Sequence, residues 1–229
     1  MKIGIIAAMP EELVYLIQHL ENAKEETVLG NCYHTGTIGS VELVLVESGI
    51  GKVMSAMSVA ILADHFNVDA VINTGSAGAL AEGIEVGDVV IAEKLAYHDV
   101  DVTAFGYEYG QMAQQPLYFE TDKKFVSLIQ ESLSKLDQNW HLGLIVTGDS
   151  FVAGEDKIAT IKKHFPQVLA VEMEGAAIAQ AAHALNLPFL VIRAMSDNAN
   201  HEASISFDEF IVEAGRRSAQ ALIRLLKSM

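Results

Sequence analysis

Charged residues follow two apolar segments in the C-terminal half of the chain. One segment ends in Glu172 and Glu174, and a second leads into Arg193, Ser196 and Asp197. Charges at the ends of buried strands are costly unless they are paired, hydrogen-bonded or used in chemistry. Two carboxylates placed on either side of one bond can act as its general base and general acid. The pattern therefore indicates acid–base chemistry with a single arginine nearby.

Other apolar segments are also followed by candidate residues. Glu12 comes after the first segment, Ser76 lies in "NTGSAGAL" and Phe151 lies in "TGDSFVAG". Each has a structural explanation as well, since Glu12 can complement a helix N-terminus and Asp197 can cap a turn. Convergence of carboxylates from several strand ends favours a functional site instead. The residues expected to meet on one rim are Glu12, Ser76, Phe151, Glu174, Arg193 and Asp197.

Apolar and helical periodicities alternate along the chain. Short β-branched segments predict strands at 2–8, 41–47, 70–74, 88–92, 142–147, 168–172 and 189–193, with 33–37 pairing to 41–47. Helical periodicity predicts helices at 10–21, 51–66, 122–136, 154–164, 174–186 and 207–227. Ser206 and Glu209 have the spacing of a capping box at the start of the last helix.

This order of elements predicts an α/β fold. We expect one domain spanning 1–229, with three layers: a central twisted mixed sheet, mostly parallel, flanked by helices. Ligands of such sheets bind beyond the carboxyl ends of the strands. The candidate residues above are expected at that edge.

Composition excludes several classes of partner. The chain has 229 residues, a net charge of −15 and four arginines, so it lacks the clustered cations that nucleic acids or anionic membranes require. The N-terminal apolar segment is too short for a signal peptide, and no segment is long enough to span a membrane. The single cysteine, Cys32, forms no internal disulfide, which fits a reducing cytoplasm.

Several other chemistries find little support. "GSAG" and "SGIGKV" match neither a dinucleotide fingerprint nor a P-loop, although backbone amides there, as at Gly78, can contact a ribose or base edge. The eight histidines form no ligand pair, "HDVD" at 98–101 lacks further ligands, and we predict no metal site. Cys32 has no evident histidine partner, and no G-x-S-x-G elbow occurs.

A small, partly aromatic ligand such as a nucleoside fits the remaining pattern. The apolar residues expected around the carboxylates are Met9, Ile50, Phe151, Met173 and Phe207. An apolar pocket with a few convergent polar groups is typical of such ligands.

Six motifs together resemble one family over nearly the whole chain. They are "GIIAAMPEE", "SGIGKV", "NTGSAGAL", "GDSFVA", "VEMEGAA" and "RAMSDNA", and they are similar to the 5′-methylthioadenosine/S-adenosylhomocysteine nucleosidases, bacterial members of the nucleoside phosphorylase superfamily. The resemblance implies hydrolysis of the bond between adenine and a thio-substituted ribose, in methionine salvage, without a cofactor. The preference among methylthioadenosine, S-adenosylhomocysteine and 5′-deoxyadenosine stays open.

The resemblance also implies residue roles. Glu12 is the expected base for water, Asp197 the expected acid for nitrogen 7 of the purine, and Glu174 the expected ligand of the ribose hydroxyls. Met173 lies beside the ribose, and Arg193 and Ser76 help to position the water. Phe151 stacks on adenine, the Val152 backbone reads its edge, Phe207 closes over it, and Ser196 faces the other side.

A general acid must begin protonated, whereas the nearby Arg193 favours an ionised Asp197. Either burial keeps the proton on Asp197 or the substrate brings it.

The segment 98–120 is rich in aromatic and apolar residues for a loop. It can pack under its own sheet, whereas the resemblance implies that Val102, Phe105 and Pro116 cover a ligand in a second copy, making a homodimer.

Two rival functions are a phosphorylase, which needs cations around phosphate, and a non-catalytic nucleoside sensor. The few cations and the retained acid and base argue against both.

Overall fold

The computed structural model describes residues 1–136, 138–199 and 203–229, apart from the side chains of 203–206. The strands are β1 (Lys2–Ala7), β2 (Glu21–Val28), β3 (Asn31–Ile38), β4 (Val41–Glu47), β5 (Ala70–Ala79), β6 (Val89–Tyr97), β7 (Phe119–Glu120), β8 (Trp140–Thr147), β9 (Val168–Glu172) and β10 (Phe189–Asp197). The helices are α1 (Pro10–Gln18), α2 (Lys52–Asp64), α3 (Lys123–Leu133), α4 (Glu155–His164), α5 (Gly175–Ala184) and α6 (Ala203–Ser228), with a 3-10 turn at Thr103–Phe105.

All ten strands belong to one mixed sheet, ordered β10-β6-β8-β9-β5-β1-β4-β3-β2, with β7 beside β6. Because β10 also pairs with β5, the strands β5, β10, β6, β8 and β9 form a closed ring. The pairs β1–β4, β1–β5, β5–β10, β6–β8 and β8–β9 are parallel. The pairs β2–β3, β3–β4, β6–β10, β5–β9 and β6–β7 are antiparallel. The mixed sheet is confirmed, but parallel pairs make up half of it and not most.

Helices cover both faces of the sheet, so the predicted three layers are confirmed. Buried residues of α1, α3 and α6, such as Leu16, Ile129 and Leu222, pack on one face. Buried residues of α2 and α5, such as Leu62 and Ile178, pack on the other. Strands covered on both faces read as continuous apolar segments, which is why β1 and β4 were predicted with nearly correct bounds.

Two strands run further than the sequence predicts. β5 continues to Ala79, so most of the glycine-rich "NTGSAGAL" is strand and not a turn. β10 continues to Asp197, which places Arg193 in mid-strand. Gly75 is required by close packing: a Cβ there would lie 2.3 Å from Arg193 Nη1 and 2.7 Å from Glu12 Oε1. In a sequence, a glycine is usually taken as the sign of a turn. Here Gly75 lies within a strand, where its missing side chain leaves room for buried side chains of other elements.

Other predicted boundaries were wrong. The segment of β2, "ENAKEETV", is almost entirely exposed and lies at the edge of the sheet, so it lacks the apolar signal of a strand. α1 ends at Gln18 instead of extending to residue 21. α6 begins at Ala203, so Ser206 lies within the helix and is not its N-cap. None of the helices in the described ranges is both long and apolar enough to cross a bilayer.

Candidate active site

A cavity of about 450 Å³ opens at the carboxyl ends of β1, β5, β9 and β10. Its size lies within the roughly 300–1,000 Å³ range of small-molecule sites. It brings together the predicted residues Met9, Glu12, Ile50, Ser76, Gly78, Phe151, Val152, Met173, Glu174, Ser196, Asp197 and Phe207. Among the other lining residues, Glu172 was a candidate carboxylate without an assigned role, and the sequence did not predict Ala8, Ala77, Ser150, Val171 and Asp208.

Four predicted residues do not line the cavity. Arg193 is completely buried behind its wall. Val102 is partly buried, and Phe105 and Pro116 are exposed on the segment between β6 and β7. Most of the missed residues are neighbours of predicted ones, so their positions followed from the strand ends. Glu172 was visible at the end of its apolar segment, but nothing in the sequence indicated its partner.

Glu12 lies in the first turn of α1, and its carboxylate accepts hydrogen bonds from two directions. Oε2 accepts from the backbone amides of Ala8 and Met9, at 3.0 and 3.3 Å. Oε1 accepts from the backbone amide and the hydroxyl of Ser76, both at 2.9 Å. The side chain is therefore both a structural cap and a fixed acceptor in the cavity wall. The structural interpretation of Glu12 as a cap is confirmed, and its role as a base stays a prediction.

Arg193 is the centre of a buried charged cluster that consists of Glu12, Glu172, Glu174 and Arg193. Its Nη2 contacts a carboxylate oxygen of Glu172, and it lies 2.6 Å from Asn73 Oδ1 and 3.4 Å from Glu174 Oε2. Burial alone lowers the pKa of Arg193, but the surrounding carboxylates raise it above its usual value. The guanidinium therefore stays charged and holds the carboxylates in place.

Backbone donors also hold the carboxylates of this charged cluster. Glu172 Oε2 accepts from the amides of Glu174 and Gly175, at 3.0 and 2.7 Å. Glu174 Oε1 accepts from the Gly51 amide at 2.8 Å. Burial raises the pKa of Glu174 to about 7; Glu172 adds to the increase, while Arg193 and the Gly51 amide oppose it. Glu174 therefore titrates near neutrality.

Asp197 ends β10 and lies opposite Gly78 of β5 in the parallel register. Its Oδ1 accepts from the Ala199 amide at 2.7 Å, and Oδ2 from the Ser196 hydroxyl at 3.0 Å. A Cβ at Gly78 would lie 2.9 Å from Oδ1, so glycine gives the carboxyl its space. Burial raises the pKa of Asp197 despite these two hydrogen bonds. Burial thus favours the protonated carboxyl that a general acid requires.

Two aromatic side chains line the cavity together with Asp197. The rings of Phe151 and Phe207 meet edge to face, with centroids 5.8 Å apart. Phe151 is 42% exposed and Ile50 55% exposed, whereas Val152 is buried. We call Phe151, Phe207 and Asp197 the base end of the cavity.

Charge in the cavity is strongly one-sided. Its acidic lining residues are Glu12, Glu172, Glu174, Asp197 and Asp208, and none of its described lining residues is Lys or Arg. Arg193 faces Glu172, Glu174 and Asn73 from behind the wall. The site can therefore stabilise positive charge in a ligand and repels anions.

Comparisons with known proteins agree with this geometry. The family model described as the phosphorylase superfamily matches residues 2–227. A 5′-methylthioadenosine/S-adenosylhomocysteine nucleosidase of Listeria monocytogenes is 48% identical over the full length of both chains.

Two solved structures are similar over almost the whole chain. The nucleosidase of S. pneumoniae, bound to the transition-state inhibitor MT-ImmA, is 84% identical with a TM-score of 0.97, covering 99% of both chains. The Neisseria meningitidis nucleosidase, bound to methylthio-immucillin-A, is 44% identical with a TM-score of 0.98, covering 100% of this chain and 99% of that one. The chain therefore belongs to the 5′-methylthioadenosine/S-adenosylhomocysteine nucleosidases of the phosphorylase superfamily.

Proposed function

We propose that the chain hydrolyses the N-glycosidic bond of 5′-methylthioadenosine and S-adenosylhomocysteine, as a single nucleosidase domain spanning 1–229. Water adds to the anomeric carbon, and adenine and the corresponding thioribose are released. The observation that carries this proposal is the charge of the cavity: five carboxyl groups line it and no described lining residue is a cation. Cleavage of a glycosidic bond develops positive charge on the sugar, which such a site stabilises.

Glu12 is the proposed general base. Its carboxylate is held by two backbone amides and by Ser76, so its orientation does not depend on the ligand. A base fixed in this way can take the proton of a water molecule as the water attacks the sugar. Ser76 acts in this scheme by orienting Glu12.

Asp197 is the proposed general acid. It gives its proton to nitrogen 7 of adenine as the bond breaks, so that the base leaves neutral. Burial raises the pKa of this carboxyl, which favours the protonated form that the role requires. Ser196 and the Ala199 amide hold the carboxyl in place.

The ribose and the adenine are proposed to bind on different sides of the cavity. Glu174 accepts hydrogen bonds from the ribose hydroxyls, with Met173 beside it, and Arg193 orients Glu174 from behind. Phe151 stacks on adenine and Phe207 closes over it, while the Val152 backbone and Gly78 contact its edges. Met9 and Ile50 complete the apolar lining.

Phosphorolysis is the rival reaction, and electrostatics argue against it. Phosphate is an anion at neutral pH and needs cations or a cluster of free donors. Arg193, the arginine nearest the cavity, is already engaged by two carboxylates and Asn73. Water is therefore the favoured nucleophile.

The test is adenine release from methylthioadenosine in phosphate-free buffer and again with added phosphate, with the sugar product identified. We expect free methylthioribose at equal rates in both buffers. Activity only with phosphate, giving a sugar 1-phosphate, would show a phosphorylase. Binding of methylthioadenosine without release of adenine in either buffer would show a sensor.

We also propose a homodimer in which Val102, Phe105 and Pro116 of one copy cover the thio end of the ligand in the other. Val53, Met54 and Met57 lie in the first half of α2 and Ile50 just before it; these four residues are 38–69% exposed, and Phe105 is 81% exposed. Apolar stripes of this kind are typical of protein interfaces. Sedimentation should give a dimer, and Val53→Glu should weaken it; a wild-type monomer at working concentration would exclude the proposal.

The single cysteine supports a cytoplasmic location.

A further inference from the structure

The β2–β3 hairpin carries a group of side chains that is separate from the nucleoside cavity. The sequence indicates no histidine partner for Cys32, but the structure places His34 Nε2 at 3.8 Å from the Cys32 sulfur. The two residues are two apart on β3, so their side chains leave the same face of the strand. Glu25 lies directly opposite His34 in the antiparallel register with β2. The hairpin thus brings a thiol, an imidazole and a carboxylate onto one surface.

The imidazole of His34 lies between the other two groups. Its Nδ1 is 3.5 Å from Glu25 Oε1, and its Nε2 faces the thiol. A carboxylate beside one ring nitrogen favours a proton on that nitrogen, which leaves the other nitrogen able to bind a metal ion. For a tetrahedral zinc ion, with bonds of about 2.3 Å to sulfur and about 2.0 Å to nitrogen, the two ligand atoms are roughly 3.6 Å apart. The 3.8 Å found here is close to that separation.

The surroundings also suit a cation. Ligand atoms of Glu25, Cys32 and His34 all lie within 4.8 Å of one another. Cys32 and His34 line a groove of about 350 Å³, together with Pro10, Leu13, Val14, Ile17, Gly30, Asn31 and Glu47. None of these described lining residues is Lys or Arg, and Glu47 adds a further carboxylate. The groove gives room for water ligands, and it shares no lining residue with the nucleoside cavity.

We propose that Cys32 and His34 form a binding site for a thiophilic divalent cation of the Zn²⁺ class. The Cys32 sulfur and His34 Nε2 bind the ion, Glu25 holds His34 through Nδ1, and water completes the coordination. The thiol proton passes to solvent as the sulfur–metal bond forms, and no electron is transferred. Thiolate and imidazole ligands together favour zinc over magnesium or calcium.

Cobalt spectroscopy on the full-length chain gives the most specific test. Cys32 is the only cysteine, so a thiolate-to-cobalt charge-transfer band can arise from no other residue. We expect one equivalent of Co²⁺ to produce this band, and one equivalent of Zn²⁺ to abolish it. A Co²⁺ spectrum without the band would overturn the proposal.

Zinc affinity, measured by competition with a chromophoric chelator, assigns the ligands. Cys32→Ser and His34→Ala should each weaken binding at least about 100-fold, and Glu25→Gln about 10-fold, as the loss of an orienting carboxylate does. The matched control is His65→Ala, because His65 Nε2 lies 2.8 Å from Glu26 Oε1 in a similar exposed pair that has no cysteine. Equal zinc affinity in wild type and Cys32→Ser would reject the site.

Adenine release should be the same in wild type and Cys32→Ser, with or without Zn²⁺, because the groove and the cavity are separate. The metal site and the proposed hydrolysis can therefore fail independently.

Discussion

The charged cluster and the base end of the same cavity are built in different ways. In the charged cluster, Arg193 contacts Glu172 and Glu174 directly, and backbone amides hold the carboxylates of Glu12, Glu172 and Glu174. At the base end, Phe151 is 42% exposed and the carboxyl of Asp197 has two hydrogen-bond donors. Charge stabilisation requires fixed groups, whereas a ligand must enter and leave through groups that can move. The comparison indicates that the charged cluster is preorganised, whereas the exposed ring of Phe151 is free to move when a ligand enters.

Arg193→Met should give the largest effect, because it leaves Glu172 and Glu174 buried without their counter-charge. Loss of one partner of a buried ion pair costs about 3–5 kcal/mol, so we expect that decrease in the free energy of unfolding together with loss of turnover. Urea unfolding measures it, with the exposed Arg224→Met as the control. Stability within about 1 kcal/mol of wild type would contradict the central role of Arg193.

Asp197→Asn should lower turnover by roughly 10²–10⁴-fold, because the amide cannot give a proton to the leaving base. Asn is nearly isosteric with Asp, so the fold and the stability should be retained. The measurement is single-turnover adenine release, with thermal unfolding as the check on the fold. Normal turnover in this variant would show that Asp197 is not the acid. The base end would then contribute only to binding.

Glu12→Gln should lower turnover by a similar or smaller factor within roughly 10²–10⁴-fold, while inhibitor binding is retained. The amide keeps the shape of the side chain but cannot accept the proton of water. Calorimetric binding of an adenine nucleoside analogue, measured beside turnover, separates the two effects. Glu11→Gln is the matched control, because Glu11 is exposed in the same turn of α1. If Glu12→Gln turned over normally, the base would have to be another group.

The stability of the charged cluster should depend on pH through Glu174. Its pKa is raised from 4.5 to about 7, so between these values the folded state holds a proton that the unfolded chain has lost. The stability that the neutral side chain contributes is complete below pH about 4.5 and decreases as pH rises through about 7. The difference in unfolding free energy between wild type and Glu174→Gln, measured from pH 5 to 8, should therefore become less favourable to wild type. A constant difference would show that Glu174 keeps its ordinary pKa.

Phe151→Leu should give the smallest effect, a rise in KM of roughly 2–10-fold with little change in kcat. Aromatic contacts contribute about 0.5–1.5 kcal/mol beyond the area they bury, and Leu keeps part of that area. Steady-state kinetics give both constants, and Phe210→Leu is the control, because Phe210 is similarly exposed on α6 but does not line the cavity. A large fall in kcat with unchanged KM would show that the base end also takes part in the chemical step.

Sequence patterns predicted the strands whose residues are almost all apolar. The buried strands β1, β4 and β9 are continuous apolar segments, and their bounds were nearly correct. The polar edge strand β2 was missed, because its stability comes from backbone pairing with β3 and leaves no apolar pattern. The last helix was started too late, since Ser206 and Glu209 have capping-box spacing inside a helix that already begins at Ala203.

By itself the sequence determined which residues end the strands of one sheet, and therefore that Glu12, Glu174 and Asp197 share an edge. The general rule that such ends meet is enough for this. Only the tertiary structure decided the partners: Arg193 with Asn73, 120 residues apart, Glu174 with the Gly51 amide, 123 apart, and Cys32 with His34. Such contacts depend on strand register and on the closure of the sheet through β10 and β5, which no local pattern records. The sequence determined which chemical groups are present at this edge of the sheet. The closed sheet determined the distances between them and the charges that surround them.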